Sequence, residues 1–358
     1  MKILTILGAR PQFIKAGALS REFSKHNQID EVIVHTGQHF DKNMSDVFFD
    51  EMEIPKPKYN LGINSLTHGA MTGRMIEEIE KILFKESPDL LLVYGDTNST
   101  LAGALAAKKM HIPVAHVEAG LRSFNMKMPE EINRILTDRI SDYLFCPTEQ
   151  SFENLKKEGF DNLENKVVNV GDVMNDAVLF YSMKPNERNI LKLDNDYILC
   201  TIHRQENTDD IKRLTDIISA INELSKSVKV LIPLHPRTKQ KIKDLNIKVE
   251  ADIVEPVGYV QMLNLIKNSR LVLTDSGGIQ KEAYILKKYC VTLRNETEWV
   301  ELINNGVNVL VGADKAKIIS AVRDRLNASF NSDVNLYGGG TASKKIIDYL
   351  LSDFKCKF

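Results

Sequence analysis

The sequence predicts an α/β protein built from two doubly wound parallel-sheet domains. Three observations predict it. Short β-rich runs alternate with longer segments of helical period almost from end to end, the alternation runs through two successive series, and 358 residues correspond to about two domains at roughly 150 residues each. Alternating βα units build parallel sheets. Near-continuous apolar runs such as Leu90-Leu91-Leu92-Val93 and Leu271-Val272-Leu273 suit strands covered by helices on both faces.

The first series opens on MKILTIL, which meets Gly8-Ala9-Arg10-Pro11 before any cleavage site and so reads as a strand rather than a signal peptide. Strands are expected at 2–7, 31–35, 90–94, 114–117, 143–146 and 167–170, with helices at 12–23, 67–84, 98–109 and 130–140. The second series places strands at 197–202, 228–233, 253–255, 271–274, 290–293 and 309–311, again separated by helical stretches, with the boundary near Gly171. Tyr337-Gly338-Gly339-Gly340 reads as a flexible joint before a helix at 342–354, which the residues alone assign to neither domain. No tandem repeat or low-complexity tract points to a solenoid.

Apolar residues make up 43% and charged residues 27%, a balance that supports packed cores and argues against disorder. Forty-seven Lys and Arg against 48 Asp and Glu leave a formal charge of -1, so no nucleic acid or membrane partner is expected and an anionic ligand must be caught locally. Cys146, Cys200, Cys290 and Cys356 form no CxxC pair and read as reduced thiols of a cytoplasmic protein. No run approaches the ~18 apolar residues that a membrane span needs.

Ligands of open parallel sheets bind beyond the carboxyl ends of the strands. After the first strand, Gly8-Ala9-Arg10-Pro11-Gln12-Phe13-Ile14-Lys15 puts two cations at a helix start, where they oppose the macrodipole unless an anion lies between them. There is no GxGxxG, which argues against a dinucleotide site. Tyr94-Gly95-Asp96 delivers an acid to the sheet edge, either toward a ligand or as a helix cap. His116 and Glu118 are two apart and share a face in an extended strand. HxE can also mark a metal pair, but no third ligand stands at a suitable spacing, so no metal is expected. Met128-Pro129-Glu130-Glu131 opens a helix, as a plain helix start also would. Asp96, Glu118 and Glu130 or Glu131 thus accumulate at one sheet edge, where converging carboxylates would supply both acid and base.

The second half contributes His203-Arg204 and His235-Pro236-Arg237, imidazoles suited to proton transfer at neutral pH. In Thr274-Asp275-Ser276-Gly277-Gly278 two glycines let free backbone N–H groups cradle phosphate, or Ser276 simply caps a helix. Glu282, one turn on, could reach a ribose diol. A nucleotide diphosphate caught between two α/β domains fits these features without specifying a reaction.

The ordered set Gly8-Ala9-Arg10-Pro11, Thr36-Gly37-Gln38-His39, Gly95-Asp96-Thr97, His116-Val117-Glu118-Ala119-Gly120-Leu121-Arg122, Pro129-Glu130-Glu131-Ile132-Asn133-Arg134, His203-Arg204-Gln205-Glu206-Asn207, His235-Pro236 and Asp275-Ser276-Gly277-Gly278 resembles the non-hydrolysing UDP-N-acetylglucosamine 2-epimerases over nearly the whole chain. The resemblance implies a GT-B fold: two Rossmann-like domains with a deep interdomain cleft, one spanning 1–171 with a returning helix in 341–358, the other 172–340. It implies an isomerase that reversibly inverts carbon 2 of a UDP-linked 2-acetamido sugar, of the UDP-GlcNAc to UDP-ManNAc type, for surface polysaccharide precursors. The route it implies is anti elimination of UDP to a 2-acetamidoglucal and re-addition, with no cofactor. It implies a UDP-hexosamine as substrate and a homodimer. By motif position, Asp96, Glu118, Glu130 and His203 correspond to the family's acids, bases and electrostatic helpers. Arg10, Lys15, Arg122, His235, Ser276, Gly277, Gly278, Glu282 and Arg294 correspond to its UDP- and substrate-binding set.

Two departures matter. His39-Phe40-Asp41 replaces the His-Arg start of members activated by a second substrate molecule, which argues against such activation. Trp299-Val300 stands where Arg-Pro is usual after Arg294-Asn295-Glu296-Thr297-Glu298, and with Phe124-Asn125-Met126 this is similar to members that epimerise UDP-2,3-diacetamido-2,3-dideoxyglucuronate. The rival readings are a glycosyltransferase of the same fold using a UDP-sugar, a hydrolysing epimerase, and an inactive nucleotide-sugar binding module. The last would have lost carboxylates, whereas Asp96, Glu118 and Glu130 are all present.

Overall fold

The computed structural model describes residues 1–38, 53–184, 196–234, 236–331 and 334–355, with Arg10 and Lys355 described by their backbone alone. The chain divides into two compact units, Met1–Ala177 with Asn335–Phe358 and Val178–Val334. No helix among the described residues is long and apolar enough to cross a membrane.

In the first unit the order is β1 (Lys2–Leu7), α1 (Arg10–Phe23), β2 (Asp30–His35), β3 (Tyr59–Asn60), α2 (His68–Glu86), β4 (Leu90–Tyr94), α3 (Asn98–Lys109), β5 (Val114–Val117), α4 (Pro129–Ile140), β6 (Tyr143–Cys146), α5 (Glu149–Lys157), β7 (Lys166–Asn169) and α6 (Val173–Tyr181). The strands form one parallel sheet in the order β3-β2-β1-β4-β5-β6-β7. The strand order reverses at β1 and β4, so the loops after these strands diverge to opposite faces and leave a crevice between them. Strand β3 was not anticipated: only Tyr59 and Asn60 pair, with Val34 and His35, too short a run to show a period.

Helix α2 forms because Met71, Met75, Ile79, Ile82 and Leu83 recur at helical spacing and are buried on Leu4, Ile6, Leu91 and Val93. Each such side chain contributes roughly 1.5–3 kcal/mol on leaving water.

The second unit runs β8 (Tyr197–Thr201), α7 (Gln205–Thr208), α8 (Ile211–Ser225), β9 (Lys229–Pro233), α9 (Pro236–Asp244), β10 (Asp252–Val254), α10 (Tyr259–Asn268), β11 (Leu271–Thr274), α11 (Gly277–Ile285), β12 (Cys290–Thr292), α12 (Val300–Asn304), β13 (Asn308–Leu310) and α13 (Lys315–Leu326). Its parallel sheet is ordered β10-β9-β8-β11-β12-β13. Here the switch lies between β8 and β11, which brings the turn at His203 beside the turn at Asp275. Leu214, Ile217, Ile218, Ile221 and Leu224 of α8 are buried against Ile198, Val230, Ile232 and Leu273.

Helix α14 (Ala342–Lys355) belongs to the first unit. Asp176 accepts from the backbone N–H of Ala342 at 3.1 Å and of Ser343 at 2.7 Å, occupying the open start of the helix. The Tyr143 hydroxyl donates to Asp353 Oδ2 at 2.6 Å, and Tyr349 packs edge-on against Tyr143 and Phe145.

Candidate active site

In the first unit the site is assembled from the turns after β1, β4 and β5. Gln12 ties the first two together. Its Oε1 accepts from the backbone N–H of Gly8 at 2.8 Å and Ala9 at 2.9 Å, and its Nε2 donates to the Tyr94 carbonyl at 2.8 Å and to Thr100 Oγ1 at 3.0 Å. Lys15, one turn further along α1, is ion-paired through Nζ with Glu118 Oε2, and only 11% and 10% of the two side chains is exposed. Strand β5 ends at Val117, so the extended geometry expected to align His116 with Glu118 stops short. Glu118 instead adopts a left-handed backbone, φ 74°, a conformation that costs a non-glycine residue about 1–3 kcal/mol. The backbone N–H groups of Glu118 and Ala119 both donate to the Phe145 carbonyl at 3.1 Å and hold the turn. Gly95, at φ 62°, lies against the ion pair: a Cβ there would stand 3.5 Å from Lys15 Nζ and 3.7 Å from Glu118 Oε2.

Asp96 is half-buried and is no helix cap, since Thr97 caps α3. Its carboxylate pairs with Arg134 Nη2, and its carbonyl accepts from Asn133 Nδ2 at 2.9 Å. Arg134 also donates through Nη1 to Glu131 Oε2 at 2.5 Å. Of the two adjacent acids, Glu131 is buried and Glu130 is exposed in the first turn of α4. Glu131 folds back to accept from Ser123 N–H and Oγ, both at 2.9 Å, and from Phe124 N–H at 2.8 Å. Burial raises its pKa, but these donors together with Arg134 outweigh burial and hold the carboxyl below its usual range. Burial likewise acts to lower the Arg134 pKa, and the charges of Asp96 and Glu131 more than offset it.

Arg122 is bound inside the first unit. It donates to Asp138 Oδ2 at 2.7 Å and to both carboxylate oxygens of Glu158 at 2.7 and 2.8 Å, with its side chain almost wholly buried. Its resemblance to a substrate-binding arginine thus meets a guanidinium whose partners are already supplied by its own fold. His116 is also buried, with Nδ1 2.7 Å from Asp138 Oδ1 and Nε2 2.7 Å from the Gly95 carbonyl. Both ring nitrogens are occupied. Among the described residues no group of three or more His, Cys, Asp or Glu is arranged to hold a metal ion.

In the second unit the buried Asp275 organises the turns. It accepts from the backbone N–H groups of His203 and Arg204 and from Asn207 Nδ2, each at 3.1 Å, and its Oδ1 lies 3.1 Å from His203 Nδ1. The outer part of the His203 ring remains exposed. Ser276 caps α11, accepting from Ile279 N–H at 3.5 Å, and Gly277 and Gly278 form its first turn. Glu282 is buried, with Oε1 about one van der Waals contact, 4.0 Å, from where a Cβ on Gly278 would lie. Arg294 is buried and donates to Glu298 Oε2 at 2.8 Å, and Trp299 Nε1 donates to the Gly277 carbonyl at 2.9 Å. His235, the Arg10 side chain and the segment His39-Phe40-Asp41 lie outside the described residues.

Chemically, the first unit offers carboxylates each beside a fixed cation, Glu118 with Lys15 and Asp96 with Arg134, side chains of the type that take and return protons in general acid–base chemistry. The second offers a helix N-terminus with Arg294 beside it, a place for an anion. Gln12, Arg134 and Asp138 were not singled out from the sequence, and Glu131 stood there only as the alternative to Glu130. Their partners lie from a few to more than eighty positions away, so no local pattern marked them.

Residues 21–351 match the family model described as UDP-N-acetylglucosamine 2-epimerase. The chain is 56% identical over 351 residues to the UDP-2,3-diacetamido-2,3-dideoxy-D-glucuronate 2-epimerase of Pseudomonas aeruginosa, covering 98% of this chain and 99% of that protein. It is 48% identical over 366 residues to the UDP-N-acetylglucosamine 2-epimerase of Methanocaldococcus jannaschii, covering 98% and 99%. A crystal structure of the M. jannaschii enzyme in complex with UDP-GlcNAc and UDP superimposes with a TM-score of 0.86 at 47% identity, covering 98% of this chain and 100% of that one. Matched in sequence and in structure along nearly its full length, the chain belongs to the UDP-N-acetylglucosamine 2-epimerase family.

Proposed function

We propose that this protein is an isomerase that inverts carbon 2 of a UDP-linked 2-acetamido sugar. The observation that carries the reading is family membership along nearly the whole chain. Paired carboxylates and cations at the edge of the first sheet support it. The hydrogen on carbon 2 is weakly acidic because no carbonyl activates it, so its removal must accompany loss of the diphosphate. One carboxylate takes that proton while the C1–O bond to UDP breaks, giving a 2-acetamidoglucal. UDP then adds back to C1, and an acid on the opposite face returns a proton to C2. Asp96, Glu118, Glu130 and His203 are the candidates for these proton transfers and for stabilising the charge that develops. Lys15, Ser276, Gly277, Gly278, Glu282 and Arg294, with Arg10 and His235, are the candidates for holding UDP. A well-placed donor on the leaving diphosphate contributes about 3–4 kcal/mol to the transition state.

For the sugar, we favour UDP-2,3-diacetamido-2,3-dideoxyglucuronate. The 56% identity to the Pseudomonas enzyme against 48% to the M. jannaschii one supports it. We further infer a homodimer, supported by the exposed apolar run Phe124, Met126, Met128, Ile132 and Leu136, and a cytoplasmic location, supported by the buried free thiols of Cys146, Cys200 and Cys290.

The test is incubation with each UDP-sugar alone in deuterated water. Deuterium should enter carbon 2, fastest with the diacetamido uronate. Release of free sugar and UDP would indicate the hydrolysing reaction, and no exchange with either sugar would overturn the proposal.

A further inference from the structure

We propose that His116 and Asp138 are positioning residues, a buried strut that fixes the Gly95 carbonyl and thereby the turn that carries Asp96 beside the turn that carries Glu118. This rests on the reading of Asp96 and Glu118 as proton-transfer groups. A carbonyl oxygen only accepts, so the 2.7 Å contact to Gly95 makes His116 Nε2 the donor. The other ring nitrogen faces Asp138 Oδ1 at 2.7 Å, and Asp138 Oδ2 takes the Gly120 N–H at 3.1 Å and Arg122 Nη1 at 2.7 Å. One carboxylate thus joins the ring of His116 to the backbone just beyond Glu118.

Asp138 lies one helical turn beyond Arg134 on α4, and the two grip the same turn from different sides. Arg134 pairs with the Asp96 side chain, Asn133 donates to its carbonyl, and Asp138 reaches the preceding carbonyl through His116. The held segments are the left-handed ones, Gly95 at φ 62° and Glu118 at φ 74°. Glycine takes that conformation freely, whereas at Glu118 it persists only where the surroundings over-determine it. With both nitrogens occupied and no exposed surface, His116 has no face left for substrate, so its effect on the reaction must pass through these turns.

The experiment compares H116Q and H116N, using C2 deuterium exchange for turnover and calorimetry for UDP binding. Gln carries its amide at the reach of Nε2 and can still donate to Gly95, whereas Asn mimics only Nδ1. We expect H116N to lose about 10²-fold in kcat, the scale of a small misplacement of reacting groups, with H116Q recovering much of that loss and UDP affinity unchanged in both. A role confined to general packing would lower turnover and UDP affinity together and favour neither variant. That outcome, or wild-type kcat in both variants, overturns the proposal. If either variant does not fold, D138N is held to the same criterion: kcat falls while UDP affinity stays. Nitrogen-15 NMR of wild-type histidines provides a readout independent of turnover, with a hydrogen expected on His116 Nε2, and a bare Nε2 also overturns the strut. Absence of exchange in the wild type would count against the proposed function, while the NMR result would still judge the strut.

Discussion

Lys15 Nζ and Glu118 Oε2 form an ion pair that joins α1 to the turn after β5, with both side chains largely withdrawn from water. A buried pair that loses one member leaves the other charge uncompensated, at a cost of about 3–5 kcal/mol. Lys15→Met should therefore lower unfolding free energy by that amount, read by urea denaturation. Glu118→Gln should abolish turnover and leave UDP binding nearly intact. The double variant should be more stable than the sum of the two single losses, because the residues are in contact. Additive losses would show that the pair does not couple.

Glu298 occupies the start of α11 in this structure. Its Oε2 is held by Arg294, and its Oε1 lies so close to Gly277 that a Cβ there would collide with it. A diphosphate bound at this N-terminus would have to displace that carboxylate. Glu298→Gln removes the competing charge and should tighten UDP binding about threefold to tenfold, the scale of a charge at a helix terminus. Isothermal titration calorimetry checks it, and weaker binding would mean that Glu298 holds the site open rather than filled.

Glu31 predicts a pH effect on stability. Burial pushes its carboxyl up to about 7, against the opposing hydrogen bond that Thr5 Oγ1 donates to its Oε1 at 2.6 Å. The folded state therefore holds this proton more tightly than the unfolded state does. Its contribution is fully present below about 4.5 and is lost as pH rises through about 7, a change of order 3 kcal/mol at most. Glu31→Gln should flatten stability between pH 5 and 8 and raise the melting temperature most at pH 8. An unchanged pH profile would contradict the assignment.

Met128 at the N-cap of α4 and Ile132 and Leu136 along it are exposed, as is Phe124, which is 78% exposed at a left-handed φ of 57°. An isologous dimer pairs the same patch on both subunits. Leu136→Glu should halve the mass measured by light scattering. A wild-type protein already of single-chain mass would remove this face from consideration as the dimer contact.

The strands and the turns that follow them were legible in the sequence because their signals are local. Leu90-Leu91-Leu92-Val93 reads as a buried strand from four adjacent residues, and Ser276-Gly277-Gly278 reads as a helix start from three. Even the edges of the long strands fall within one residue of expectation. Which side chains complete the site depended instead on partners brought together by the sheet. Glu131 and Glu130 are indistinguishable as neighbours in a helix start, yet α4 turns one into Ser123 and Arg134 and leaves the other in solvent. Arg122 looks like a ligand-binding cation until Asp138 and Glu158 are found on it. Local sequence determined the elements and their order because backbone propensity and apolar period act over a few residues. The tertiary structure decided which charges pair, because a hydrogen bond such as Gln12 to the Tyr94 carbonyl, 82 positions apart, exists only after parallel strands have set the distance.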